Sequence, residues 1–208
     1  MLRVRGRGLS DRLTDTDPQR EGLQPLTPTA LDDTAEATAE AVRSLIKGIR
    51  PLLADRQPAN MLLLRGFSRR PDYPSLRDIY RLTPACIATY PMYRGVARVV
   101  GMDILPAGDT LQDEVAALQR SYQSYDFIFL HYKKTDARGE DGDFSAKVHA
   151  IEEFDAVLPS VLELNPDVLV VTGDHSTPAG LAAQSWHPVP VILRARHCRR
   201  DTVVEFTE

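Results

Sequence analysis

Residues 168–178 read VLVVTGDHSTP: a Val/Leu run, a threonine and a glycine, then an acid beside an imidazole. A short run of this kind is the mark of a strand buried on both faces of a parallel sheet, and in open α/β sheets chemistry collects just past the carboxyl ends of the strands. Gly173 lets the backbone turn. Asp174 and His175 therefore stand where such a sheet presents its functional groups.

Working outward, strand and helix patterns alternate. DFIFLHY (126–132) reads as a strand. Phe144, Val148, Ile151, Phe154, Leu158 and Leu162 mark a long helix, which Pro159 is expected to kink or shorten. VPVILR (189–194) reads as a last strand. Upstream, Thr110 and Asp113 resemble a capping box, and Leu111, Val115, Leu118 and Tyr122 share one helical face. The second half is expected to be a parallel α/β sheet with helices.

The first half is mixed. Residues 1–28, rich in Gly, Asp, Thr and Pro, have no sustained period and read as a long loop or an ordered binding segment. Leu31, Ala35, Val42, Leu45, Ile49 and Leu53 recur at helical steps. MLLLRG (61–66) is expected to be a strand, SLRDIYRL (75–82) a short helix capped by Ser75, ACIATY (85–90) a strand and YRGVARVVGM (93–102) a helix. Asp103–Asp109, with Pro106 and Gly108, is the best candidate for a domain crossing.

The bulk numbers exclude several classes. With 25 Lys and Arg against 29 Asp and Glu, the 208-residue chain carries a formal charge of −4, which favours neither nucleic acid nor an anionic membrane as partner. No apolar stretch approaches the ~18 residues of a membrane span, and the Arg-rich start lacks a signal peptide's apolar centre; the expected location is the cytoplasm. Cys86 and Cys198 lack metal-binding or disulfide spacing.

Three strand ends carry ionisable groups: HYKKTDARGEDGD (131–143), TGDHSTP (172–178) and SWHPVP (185–190). Carboxylate oxygen and imidazole nitrogen are what hard or borderline divalent cations take, and a sheet gathers them along one edge. Each piece also has a plain reading: ARGEDGD as a solvated turn, His187 as a packed histidine, Lys133 and Lys134 as a solvated pair. Arg5, Arg65 and Arg94 each lie beside a glycine, where a guanidinium can approach phosphate or carboxylate, or simply face solvent.

Taken together, RGLSDRLTDTDP, ANMLLLRG, TYPMYRGVARVVGM, DFIFLHYKKTDARGEDGDFSAKVHAIEEFD and VTGDHSTP with SWHPVP resemble the archaeal-type cofactor-independent phosphoglycerate mutases of the alkaline phosphatase superfamily. The resemblance implies an alkaline-phosphatase-like α/β fold, a mostly parallel sheet flanked by helices, plus part of an α+β inserted domain. It implies residues 1–104 as part of a substrate-handling insert and 105–208 as the later part of a metal-binding domain. It also implies interconversion of 3-phosphoglycerate and 2-phosphoglycerate with two divalent ions, manganese, magnesium or zinc, and a serine or threonine nucleophile.

Residue by residue, Asp136 matches a metal-ligating aspartate, and Glu140 stands where the superfamily often has histidine. Asp174 and His175 match the pair on the other ion. Gln184 replaces a ligating histidine, for which His187 is the nearby substitute. Arg5, Arg65, Arg94 and Lys133 are the expected substrate-binding cations. The family's first metal aspartate and its nucleophile precede the region that MLRVRGRGLSD resembles, so the chain is expected to be a truncated form, inactive alone, in which the ions need not bind. The alternatives are another metal-dependent phosphatase or phosphotransferase, or a non-catalytic module that binds a phosphorylated ligand or pairs as a homodimer.

Overall fold

The computed structural model describes residues 2–206. The chain forms two compact units, Met1–Pro71 and Asp72–Glu208, each described by itself.

In the first unit, helix α1 (Glu36–Leu53) follows a 3-10 turn at Asp33–Ala35. The Asp32 carboxylate accepts from the Thr34 amide at 3.0 Å, satisfying one of the donors that a helix start leaves free. Ala35, Ala39 and Val42 form one buried stripe at steps of four and three, and with Leu13 they make the core against which Ala30, Ile46, Leu64 and Phe67 pack. The expected strand at MLLLRG is absent. Leu64 pairs with Thr16, its amide donating to Thr16 Oγ1 at 2.7 Å and its carbonyl accepting from the Thr16 amide at 2.8 Å, and the Gly66 amide donates to Asp15 Oδ1 at 2.9 Å. Apolar residues make a strand only where a neighbour offers a continuous ladder, and here the neighbour is the irregular segment around Thr16. Those contacts order the Gly/Asp/Thr-rich start.

The second unit holds helix α2 (Leu76–Tyr80), strand β1 (Pro84–Ala88), helix α3 (Pro91–Val99), strand β2 (Asp103–Ile104) and helix α4 (Leu111–Ser121). Strand β3 (Phe127–His131), helix α5 (Lys134–Glu140), helix α6 (Phe144–Leu162), strand β4 (Val168–Thr172) and strand β5 (Val191–Ala195) follow. The three-stranded sheet runs β2-β1-β3, parallel throughout, with Ala88 opposite His131. Every residue of β1 is buried. Cys86 and Ala88 pack on one face with Ala97 and Met102, while Ile87 packs on the other with Ala117 and Leu118. This is the alternation by which a central strand takes helices on both sides.

Two expectations need correction. β5 pairs antiparallel to β4, with Val168 opposite Ala195 and Thr172 opposite Val191. A parallel return needs a crossover, usually a helix; the residues between these strands form turns and one antiparallel bridge, Ser176 to Ser185, so the chain folds straight back. Pro159 does not shorten α6, which continues to Leu162. Pro159 is exposed, so water can reach the carbonyl its missing N–H leaves unmet, and its own carbonyl accepts from Glu163 at 2.9 Å.

The segment expected as a domain crossing supplies β2 of the three-stranded sheet. The compact units part earlier, at Pro71 and Asp72.

Candidate functional site

In register, β1 and β3 end side by side; His131 is the last residue of β3, and Tyr93 lies at the start of α3 just beyond β1. The two rings stack with centroids 3.5 Å apart. Tyr93 donates its hydroxyl to Asp174 at 2.6 Å, which brings the end of β4 to the same place. From the turn after β3, the Lys133 ammonium pairs with Asp136 in the first turn of α5 and lies 5.4 Å from the Tyr90 ring.

Thr177 closes the cluster. Its hydroxyl donates to Asp136 Oδ1 at 2.5 Å and stands 3.0 Å from His175 Nδ1. His175 Nδ1 is 3.8 Å from Asp136 Oδ1, and Nε2 is 3.7 Å from Asp174 Oδ2. Asp136, Asp174, His175 and Lys133 thus come together.

Burial pushes the Asp136 carboxyl up, but hydrogen bonds from Lys133 and Thr177 outweigh it and hold it below the ordinary aspartate range. Asp174 behaves alike: burial raises it, and the Tyr93 hydroxyl and nearby amides bring it down further. Burial raises the Tyr93 phenol, reinforced by Asp174, so it stays a neutral donor. Lys133 loses by burial and gains more from Asp136, ending above the usual lysine value. At neutral pH Asp136 and Asp174 are thus anionic, Lys133 cationic and Tyr93 neutral.

The other candidates of the second unit make no side-chain hydrogen bond to this cluster among the described residues. Glu140, exposed at the end of α5, reaches it only through its charge, which helps raise Lys133. His187 Nδ1 bonds to Ser185 Oγ at 2.8 Å and its ring stacks on Trp186. Arg94 lies half-buried on α3. Arg5 and Arg65 belong to the first unit, where Arg5 is exposed and Arg65 sits 3.7 Å from Asp17.

Sequence reasoning missed Tyr93, His131 and Thr177. All three lie in quoted motifs, YRGVA, FLHYKKTD and GDHSTP. Nothing in a tyrosine, or in a threonine before proline, separates them from ordinary neighbours until the strand ends converge. His131 shows the most unusual environment: its Nδ1 is buried without a hydrogen-bond partner among the described residues, and burial lowers its pKa.

Two carboxylates and an imidazole, with an unsatisfied imidazole nitrogen close by, are the donors a hard or borderline divalent ion takes. The fit is in kind. Among the described residues, no three His, Cys, Asp or Glu side chains are arranged to hold an ion, and Asp136 is neutralised by an ammonium instead.

The sequence matches the family model of the Metalloenzyme superfamily over residues 28–207. It is 52% identical over 208 residues to a probable 2,3-bisphosphoglycerate-independent phosphoglycerate mutase of Thermus thermophilus, covering 99% of this chain and 51% of that protein. A protein of the same description from Thermotoga maritima is 47% identical, with 100% and 52% covered. The chain spans about half the length of these curated relatives. Among solved structures, a Pyrococcus horikoshii protein superposes with a TM-score of 0.73 at 28% identity, over 85% of this chain and 54% of that one. The cofactor-independent phosphoglycerate mutase from Thermoplasma acidophilum gives 0.59 at 25% identity, over 98% and 54%.

Proposed function

The chain belongs to the Metalloenzyme superfamily, and from that premise we propose that it is part of an enzyme interconverting 3-phosphoglycerate and 2-phosphoglycerate by metal-assisted phosphoryl transfer. The observation that carries this reading is the convergence of Asp136, Asp174, His175 and Lys133 beyond the strand ends. The identity to relatives described as phosphoglycerate mutases supports it.

Membership implies dependence on a divalent ion. We assign Asp136 with Glu140 to one ion, and Asp174 with His175 to the other, His187 standing near the position of Gln184. Manganese, magnesium and zinc all suit these donors. When bound, such ions stabilise the charge on attacking and leaving oxygens of a transferring phosphoryl group.

The remaining work falls to side chains of this chain. Lys133, held cationic, offers three donors to a phosphate oxygen. Arg94, and Arg5 and Arg65 from the first unit, are proposed to grip phosphate and carboxylate in the two-pronged manner of guanidinium. Tyr93 keeps its proton and aims Asp174. In this proposal 1–104 handles substrate and 105–208 binds metal; because the parallel sheet runs through both ranges, 71/72 is the better place to divide the chain for expression.

The nucleophile is proposed to lie outside these residues, and the catalytic location to be the cytoplasm. Among the described residues, no helix is long and apolar enough to cross a membrane. A homodimer is proposed, joined through β3, an edge of the three-stranded sheet.

The test uses the purified 208-residue chain with Mn²⁺ and 3-phosphoglycerate. The expected result is binding by calorimetry, lost in Asp136→Asn, with no 2-phosphoglycerate formed. Turnover would overturn the placement of the nucleophile, and failure to bind 3-phosphoglycerate with any of the three ions would overturn the substrate. Binding and hydrolysis of unrelated phosphomonoesters would favour another phosphatase of the superfamily, since fold does not decide substrate.

A further inference from the structure

We infer that Thr177 is a positioning residue that locks His175 in the Nδ1-protonated tautomer and ties it to Asp136. This rests on the reading of Asp136 and His175 as site residues, and it follows from counting protons. Thr177 Oγ1 has one hydrogen and lies 2.5 Å from Asp136 Oδ1 and 3.0 Å from His175 Nδ1. An aspartate paired with the Lys133 ammonium is ionised and can only accept. The hydroxyl hydrogen is therefore spent on Asp136, and the second contact forms only if His175 Nδ1 carries a hydrogen and donates it.

The consequence appears on the opposite side of the ring. In a neutral imidazole with hydrogen on Nδ1, Nε2 presents a lone pair. Here Nε2 faces Asp174 Oδ2 across 3.7 Å, too wide for a direct hydrogen bond. The gap between an imidazole lone pair and a carboxylate oxygen is a place for a cation. Thr177 thus fixes which nitrogen faces that gap, as partners behind a ligating histidine generally do.

Thr177 is itself clamped. The residue is buried, and its carbonyl accepts from Lys147 Nζ of α6 at 2.5 Å. Gly139 of α5 lies so close that a Cβ there would meet the Thr177 carbonyl oxygen at 2.1 Å. Both helices hold the threonine, and the threonine holds the two strand-end loops in one geometry.

The experiment is histidine ¹⁵N NMR on the 208-residue chain, about two units above the free imidazole pKa of ~6.5, with His175 assigned through His175→Asn. The wild type is expected to show a protonated Nδ1 and an unprotonated Nε2. Thr177→Ser keeps the hydroxyl and should keep that pattern; Thr177→Val keeps the shape and should lose it. A wild type protonated on Nε2, or a valine variant with the pattern intact, overturns the inference. A zinc titration on the same samples separates it from the functional reading. Binding weakened ~10- to 100-fold by valine and restored by serine is expected, and equal affinity in the valine variant overturns the positioning role. The tautomer pattern in a wild type that takes up no ion sustains the proton arrangement and sinks the metal assignment.

Discussion

Glu114 is a carboxylate in an apolar place. It is 2% exposed on α4, with Oε1 accepting the Thr89 amide at 3.1 Å just past the end of β1. Burial pushes its pKa from 4.5 up to about 7, against smaller opposing effects of that amide and of Lys134. The folded state thus keeps a proton that the unfolded chain releases. Its contribution to stability is full below about 4.5 and is lost as pH rises through about 7. Glu114→Gln retains the acceptor and removes the charge. Urea unfolding should find it level with wild type at pH 4 and more stable by ~1–3 kcal/mol at pH 8; equal stability at both pH values would show that Glu114 does not hold its proton.

Among the elements, α4 and α2 begin as their sequences predict. Thr110 with Asp113, and Ser75 with Asp78, form complete capping boxes, because a hydroxyl and a carboxylate three residues apart satisfy two helix-start donors locally. α5 is different, since its placement depends on a contact from far along the chain. Gly139 packs on the Thr177 backbone, so Gly139→Ala forces either α5 or the loop after β4 to shift. We expect a loss of ~1–3 kcal/mol and a changed His175 tautomer signal, read by thermal unfolding and NMR. A stable variant with an unchanged His175 signal would refute the clamp.

For the whole molecule, the compact units meet at Pro71 and Asp72, and residues 68–74 are exposed and without helix or strand. Such a segment is where proteases enter. Brief trypsin treatment should cut first after Arg69, the bond after Arg70 being protected by Pro71, and mass spectrometry should show both pieces persisting. First cleavage within α4 or α6 instead would mean that the second unit is not independently compact.

By itself the sequence determined the strand and helix character of most of the second unit, the caps, and Asp174 and His175 at a strand end. These depend on residues within a few positions of one another: an apolar run, a glycine turn, a hydroxyl three places before an acid. Only the tertiary structure decided that β5 returns antiparallel, that MLLLRG has no ladder to join, and that Tyr93, His131 and Thr177 meet around Asp136 and Asp174. Tyr93 and Asp174 are 81 positions apart, and Thr177 and Asp136 are 41 apart. Pairing direction is a property of two strands, and a shared proton is a property of three side chains. No single stretch of chain encodes either until the strands lie side by side.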